Sequence, residues 1–116
     1  MSANVKHLTS IVVLNNNAGD LLLNCIESVY KTQTHKFEVI VVDNISTDSS
    51  HKKCKEKFPQ IRLIENKENL GYCEGNNVGI RNANGEFIVI LNPDTKVESN
   101  WLEELFNTYE KFGDGL

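Results

Sequence analysis

The chain has 116 residues, 40% of them hydrophobic and 24% charged, with seven glycines and two prolines. This is an ordinary soluble globular composition with room for one domain, residues 1–116, around one modest core. A formal net charge of −4 argues against a protein that wraps nucleic acid or coats an anionic membrane, and it still allows one anion to be held locally. Three cysteines without a C-x-x-C pair, no apolar run near the ~20 residues of a membrane span, and an amino terminus (MSANVKHLTS) without an apolar stretch together point to reduced thiols in a cytoplasm.

The first apolar run, residues 10–14 (SIVVL), is continuous and β-branched and so reads as a buried strand of the parallel kind. In residues 19–32, Leu22, Cys25, Ile26 and Val29 recur on one face of a helix. Residues 37–43 (FEVIVVD) form a second strand and complete a β-α-β unit. Residues 48–58 (DSSHKKCKEKF) follow a capping cluster and end at Pro59, which predicts a polar helix. A weaker strand, residues 61–65 (IRLIE), comes next. Residues 75–84 read as a short helix stopped by Gly85, with Val78 and Ile80 inward, and residues 86–91 (EFIVIL) read as a further buried strand. The last helix starts after Asn100, with Glu103 in a capping-box position and Trp101, Leu102, Leu105, Phe106 and Tyr109 toward the core. Strands alternating with helices predict a mainly parallel sheet with helices on both faces, a three-layer α/β/α arrangement.

In such sheets ligands bind outside the carboxyl ends of the strands. Three strand tips here are polar and short-chained: Asn15-Asn16-Asn17-Ala18-Gly19, Asp43-Asn44-Ile45-Ser46-Thr47-Asp48 and Asn92-Pro93-Asp94-Thr95. Such residues simply make turns, but on one rim they also offer donors and acceptors to a base or ribose, and a neighbouring helix start favours phosphate. Asp94 is either a turn aspartate or an oxygen ligand for Mg²⁺ or Mn²⁺ bridging two phosphates, an ion that takes one or two protein carboxylates and completes its shell with phosphate and water. The segment from Asn69 to Ile80 carries Gly71, Gly75 and Gly79 with Asn76 and Asn77. It is neither a Walker loop nor the dinucleotide fingerprint, and its glycines allow close backbone approach to a ligand.

Taken together, SIVVLNNN, CIESV, VIVVDNISTDSS, ENLGYCEGNNVGI and GEFIVILNPDTKVESNWLEEL resemble, in order and spacing, the amino-terminal half of a family-2 glycosyltransferase of the GT-A fold, in particular its rhamnosyltransferase-like branch. The resemblance covers nearly everything between Ser10 and Leu105. It implies a Rossmann-like GT-A fold, truncated, and a nucleotide-sugar donor site. In that site Asn15, Asn16 and Asn17 contact the base, Asp43 and Asn44 hold base or ribose, and Gly71, Asn76 and Asn77 line the nucleotide pocket. Asn92 and Asp94 stand at the D-x-D metal positions, where Mg²⁺ or Mn²⁺ would stabilise the leaving diphosphate.

The implied reaction is inverting transfer from a UDP- or dTDP-sugar to a saccharide or lipid-linked hydroxyl, with a cytoplasmic place and, for a full-length enzyme, peripheral attachment at the inner face of the membrane. An aromatic residue common in the family is replaced by Asn16, the first metal-motif carboxylate is Asn92, and the sequence ends at Leu116, ahead of the family's acceptor site and catalytic base. A truncated form with little activity is therefore expected, with an apolar sheet edge at residues 86–91 that favours a homodimer.

His51 and Cys54 stand at i, i+3 on a helix face read as solvated and are too few for zinc. The lysines of residues 51–57 read as a solvated face, Cys73 as a packing residue, and Trp101 as a core anchor. Two other functions stay open: a non-catalytic nucleotide-binding module, and a phosphoacceptor domain built on Asp43.

Overall fold

The computed structural model describes residues 8–32 and 35–112. The amino-terminal residues read above as lacking a leader, and the last residues up to Leu116, lie outside the described part. Four strands, β1 (Leu8–Asn15), β2 (Lys36–Asp43), β3 (Arg62–Glu65) and β4 (Phe87–Leu91), alternate with four helices, α1 (Asp20–Tyr30), α2 (Ser50–Lys57), α3 (Gly71–Arg81) and α4 (Trp101–Phe112). The strands form one sheet in the order β3-β2-β1-β4, and every neighbouring pair is parallel. All carboxyl ends therefore share one rim. No helix among the described residues is long and apolar enough to cross a membrane.

The two faces of the sheet are covered unequally. Ile11 and Val13 of β1 and Val39 and Val41 of β2 pack with Leu22, Cys25, Ile26 and Val29 of α1, Cys54 of α2, and Leu102 and Phe106 of α4. Phe87 of β4 meets Phe106 edge-on at 5.1 Å, and the Trp101 indole donates to Thr32 Oγ1 at 2.8 Å, so Trp101 anchors the last helix. The opposite face carries Val12, Ile40 and Val42, packed by Val78 of α3. Gly79 fits α3 to this face: a Cβ there would lie 2.4 Å from Val12 Cγ1.

Because α3 sits over β1 and β2, it leaves β4 uncovered on that side. Ile88 and Ile90 are 41% and 42% exposed, so β4 is half-buried and alternating, in contrast to the buried strand its sequence suggests. Leu105 and Tyr109 are likewise exposed. They border an apolar hollow of about 200 Å³ beside the free edge of β4, where no further strand packs among the described residues.

Two local expectations also change. The α3 helix begins at Gly71, four residues before the sequence pattern suggests, because Gly71 turns the chain at φ +80° and the following polar residues continue as helix. His51 and Cys54 are buried on the inner side of α2, and the lysines and Glu56 form its solvated face. The amino end of α2 is capped from outside the helix: Asp48 Oδ1 accepts from the Ser50 amide at 2.9 Å.

At the amino-terminal rim, Glu38 gathers the chain. Its carboxylate accepts from the Ser10 hydroxyl at 2.5 Å, the Asn84 amide at 2.7 Å and the Arg62 guanidinium at 3.2 Å, while the Gly85 amide donates to Ser10 Oγ. Burial opposes the charge of Glu38, and these hydrogen bonds outweigh it, holding the carboxyl below its ordinary value.

Candidate donor-nucleotide site

The parallel register sets Asn15 opposite Asp43 and Asp43 opposite Glu65, so the tips of β1, β2 and β3 lie level. Asn15 and Asp43 are both buried and form the floor. The Asn15 side-chain amide donates to Asp43 Oδ1 at 2.9 Å, with Ser46 Oγ and Ser50 Oγ also in reach. Asp43 further accepts from the Ser46 amide at 3.0 Å and the Ser46 hydroxyl at 2.6 Å. This is an aspartate closing its own turn. With both oxygens engaged and 2% exposure, Asp43 is not presented for phosphoryl transfer, which removes the support for a phosphoacceptor role. The imidazole of His51, also buried, lies with Nδ1 3.7 Å from Asp43 Oδ1 and Nε2 3.3 Å from Glu65 Oε1.

Above the floor, the loops after β1 and β2 are zipped together. Asn17, at φ 56°, donates its amide to Ser46 Oγ and accepts from the amides of Thr47 and Asp48 at 2.7 and 3.1 Å. The Asp48 carboxylate takes the Gly19 amide at 3.0 Å, and hydrogen bonds from Ser50 hold its carboxyl below the ordinary value. Asn17 is thus part of the frame.

Beside this platform lies an open hollow of about 370 Å³, lined by Leu14, Asn16, Asn44, Asn69, Gly71, Tyr72, Asn92 and Pro93, within the range of small-molecule sites. Its polar groups are amides and a phenol, and no Lys or Arg lines it. Gly71 is the glycine that serves this wall, since a Cβ there would meet nothing within 4 Å, whereas one on Gly75 would strike Leu14 and Asn44. Gly75 and Gly79 therefore serve helix-to-sheet contact. Asn76 is buried; its amide donates to Tyr72 O, and its Oδ1 has no hydrogen-bond partner among the described residues. Asn77 is exposed and donates to Glu74, outside the residues that line the hollow. Cys73 is exposed, contrary to its reading as a packing residue.

Across the hollow, the turn after β4 is closed by the Thr95 amide on Asn92 O at 2.9 Å, and both Asn92 and Asp94 are exposed. Beneath the turn, the Cys25 thiol points at Asn92 O, 3.8 Å away. Burial pushes that thiol up to about 11, with the Asp94 carboxylate adding to the effect, so the negative charge of Asp94 is felt there. No grouping of three or more His, Cys, Asp or Glu suited to a metal is present among the described residues. An exposed carboxylate and an exposed amide oxygen two residues apart fit a hard divalent ion whose other ligands come from a diphosphate and water.

Sequence reasoning passed over Leu14, Asn69, Tyr72 and Pro93 as wall residues. Tyr72 was the most readable of them: an aromatic flanked by Gly71 inside a polar run has no core to enter, and it is 61% exposed with its hydroxyl 3.4 Å from Asn92 Oδ1.

The family model for Glycosyl transferase family 2 matches residues 10–116. The chain belongs to this family. Among family relatives, it is 32% identical over 110 residues to Glycosyltransferase GlyG of Streptococcus pneumoniae, covering 92% of this chain and 36% of that protein. It is 30% identical over 105 residues to the low-salt glycan biosynthesis hexosyltransferase Agl10 of Haloferax volcanii, covering 87% and 32%. The chain thus spans about a third of the length of these relatives. In fold it matches S. aureus TarS 1–349 in complex with UDP, with a TM-score of 0.80 at 25% identity over 89% of this chain and 32% of that one. It also matches the mannosyltransferase PcManGT of Pyrobaculum calidifontis in complex with GDP-Man and Mn2+, with a TM-score of 0.75 at 26% identity over 91% and 32%. The GT-A architecture expected from the sequence is the one observed.

Proposed function

We propose that this family-2 chain supplies the donor-binding part of an inverting glycosyltransferase, residues 1–116, and that its carboxyl-terminal rim grips the nucleoside diphosphate of a sugar donor such as a UDP- or dTDP-sugar. The observation that carries this reading is the amide-lined hollow between the start of α3 and the Asn92-Pro93-Asp94 turn. Asn16, Gly71, Tyr72 and Asn92 face the donor, and Asn15, Asn17, Asp43 and Asn44 hold the walls in place, while Asn76, buried and outside the residues that line the hollow, packs behind the wall. The complexes of TarS with UDP and of PcManGT with GDP-Man and Mn2+ support the ligand class.

A diphosphate in a hollow without Lys or Arg needs its charge offset. Asp94, with Asn92, would hold Mg²⁺ or Mn²⁺ for that purpose. When bound, such an ion stabilises the negative charge of the departing nucleotide. No carboxylate or histidine lines the hollow to take the proton of an acceptor hydroxyl, so these residues bind and orient the donor, and the saccharide or lipid-linked acceptor with its base belongs to another part of the whole enzyme. The same observation favours, as a second reading, a nucleotide-binding module without transfer activity. The three free thiols suit a cytoplasmic enzyme.

The test is a titration with UDP, dTDP and GDP, with and without Mn²⁺, followed by backbone NMR. Shifts clustered at Asn16, Gly71 and Asn92 support the site, and shifts elsewhere or none reject it. Hydrolysis of the sugar donor separates the enzyme from the module. We also assign the open edge of β4 to pairing between two copies. Light scattering should show a dimer that Ile90→Lys disperses, and a monomer at high concentration rejects the pairing.

A further inference from the structure

The geometry points to Asn44 and Asn66 as a pair of positioning residues that set the start of α3 against the donor hollow, a role that rests on the donor-site reading above and gives Asn66 a function no motif signals. Asn44 stands next to Asp43 at the end of β2 and is 2% exposed. Its backbone amide donates to Asn15 O at 2.8 Å, and its carbonyl accepts from the Asn16 side chain. On the side chain, Oδ1 accepts from Asn66 Nδ2 at 2.7 Å and from the Leu70 amide at 3.4 Å, while Nδ2 donates to Gly71 O at 3.0 Å. Asn66 is tied to the same point by its amide on Asp43 O at 2.9 Å.

Asn44 therefore forms part of the wall of the hollow while both ends of its side chain are spent on protein. The tips of β1 and β2, the residue after β3 and the first residue of α3 all meet at this one amide. Asn66 fixes which way it points: with Oδ1 held by an N–H from Asn66, the NH₂ end is turned to the Gly71 carbonyl. Gly71 has no side chain to lock its own position, and Leu70 provides no side-chain cap to the helix. The Gly71 amide is held locally by Asn69 Oδ1 at 2.9 Å, and the Asn44 bonds to Gly71 O and the Leu70 amide tie that turn to the strand tips and so aim the first turn of α3 and Tyr72 at Asn92. Asn44 acts on the ligand through Gly71, with no need to touch it.

The test compares wild type with Asn66→Ala, Asn44→Asp and the double variant, measuring UDP affinity in the presence of Mn²⁺, the melting temperature, and the NMR signals of Gly71 and Tyr72 without ligand. Asn66→Ala should weaken UDP by about tenfold, the value of one well-placed hydrogen bond, and move both signals. Asn44→Asp keeps the acceptor and loses the donor to Gly71 O, so it should do the same, and the double variant should lose less than the two losses added. Arg62→Ala, which loosens the opposite rim, should lower the melting temperature and leave UDP affinity unchanged; affinity that falls with it in proportion reduces the pair to general stability and overturns the proposal. A folded Asn66→Ala protein with wild-type affinity and unmoved Gly71 and Tyr72 signals also overturns it, and this variant decides the matter if Asn44→Asp does not fold. If wild type itself fails to bind UDP, the donor-site reading is what fails, and the ligand-free signals of Gly71 and Tyr72 still decide whether the pair positions α3.

Discussion

Asn15 and Asp43 occupy paired positions at the ends of two neighbouring parallel strands, and the amide of one donates to the carboxylate of the other at 2.9 Å, out of reach of solvent. A buried carboxylate is tolerated when hydrogen-bond donors surround it, and Asn15 is one of few here. Asn15→Asp would face it with a second carboxylate, so that one of the two must bind a proton. We expect this variant to be destabilised at neutral pH by several kcal/mol and the deficit to narrow toward pH 4. Urea unfolding at both pH values checks this, and an equal loss at both would show that the two carboxylates escape each other.

The close seat of α3 predicts steric intolerance. Gly79→Ala would place a methyl 2.4 Å from Val12 and 3.1 Å from Val42, and overpacking of this kind costs about 1–3 kcal/mol. Gly85→Ala would meet the backbone nitrogen of Ser10 at 2.6 Å, where no flexible side chain can yield. Thermal unfolding should drop by several degrees for the first and further for the second. Gly71→Ala is distinct, because open space surrounds that position and its cost comes from φ alone.

Stability should also depend on Glu38. Its folded carboxyl titrates below the ordinary glutamate value of 4.5, so the unfolded chain binds the proton more readily and the native contribution is complete above that pH. It is lost as pH falls through the lower folded value. Denaturant midpoints between pH 6 and pH 3 should fall, and Glu38→Gln should flatten this slope. A slope unchanged in the variant would place the acid sensitivity elsewhere.

At the rim, Asp94→Ala should remove the Mn²⁺-dependent part of UDP affinity and leave the metal-independent part, measured by titration calorimetry with and without the ion. If affinity with Mn²⁺ is the same in both proteins, Asp94 holds no metal.

Most of the architecture was legible because β1, β2 and α1 announce themselves by unbroken β-branched runs and a clean helical period. The start of α3 was hidden, since Gly71 and the polar residues that follow it up to Gly75 look like loop when the contacts that Gly71 makes with the tip of β2 are unknown. The exposure of Ile88, Ile90, Leu105 and Tyr109 was equally out of reach, because burial belongs to what packs on β4 and not to β4 itself. In the site, the three strand tips were readable as a group. The division of labour among the asparagines was not: Asn16 and Asn92 face the hollow while Asn17 and Asn44 brace it, and a side-chain amide gives no local sign of which partner it will find.

The Glu38 junction with Ser10, Asn84 and Arg62 sits at the end of the sheet away from the hollow. The fold is thereby clasped by one set of residues and furnished for ligand by another. On the donor-site reading proposed above, exchanges at Asn16 and Asn92, the tip asparagines that face the hollow, can re-tailor which donor is accepted while the clasp stays shut, leaving this scaffold free to diversify in chemistry without renegotiating its own integrity.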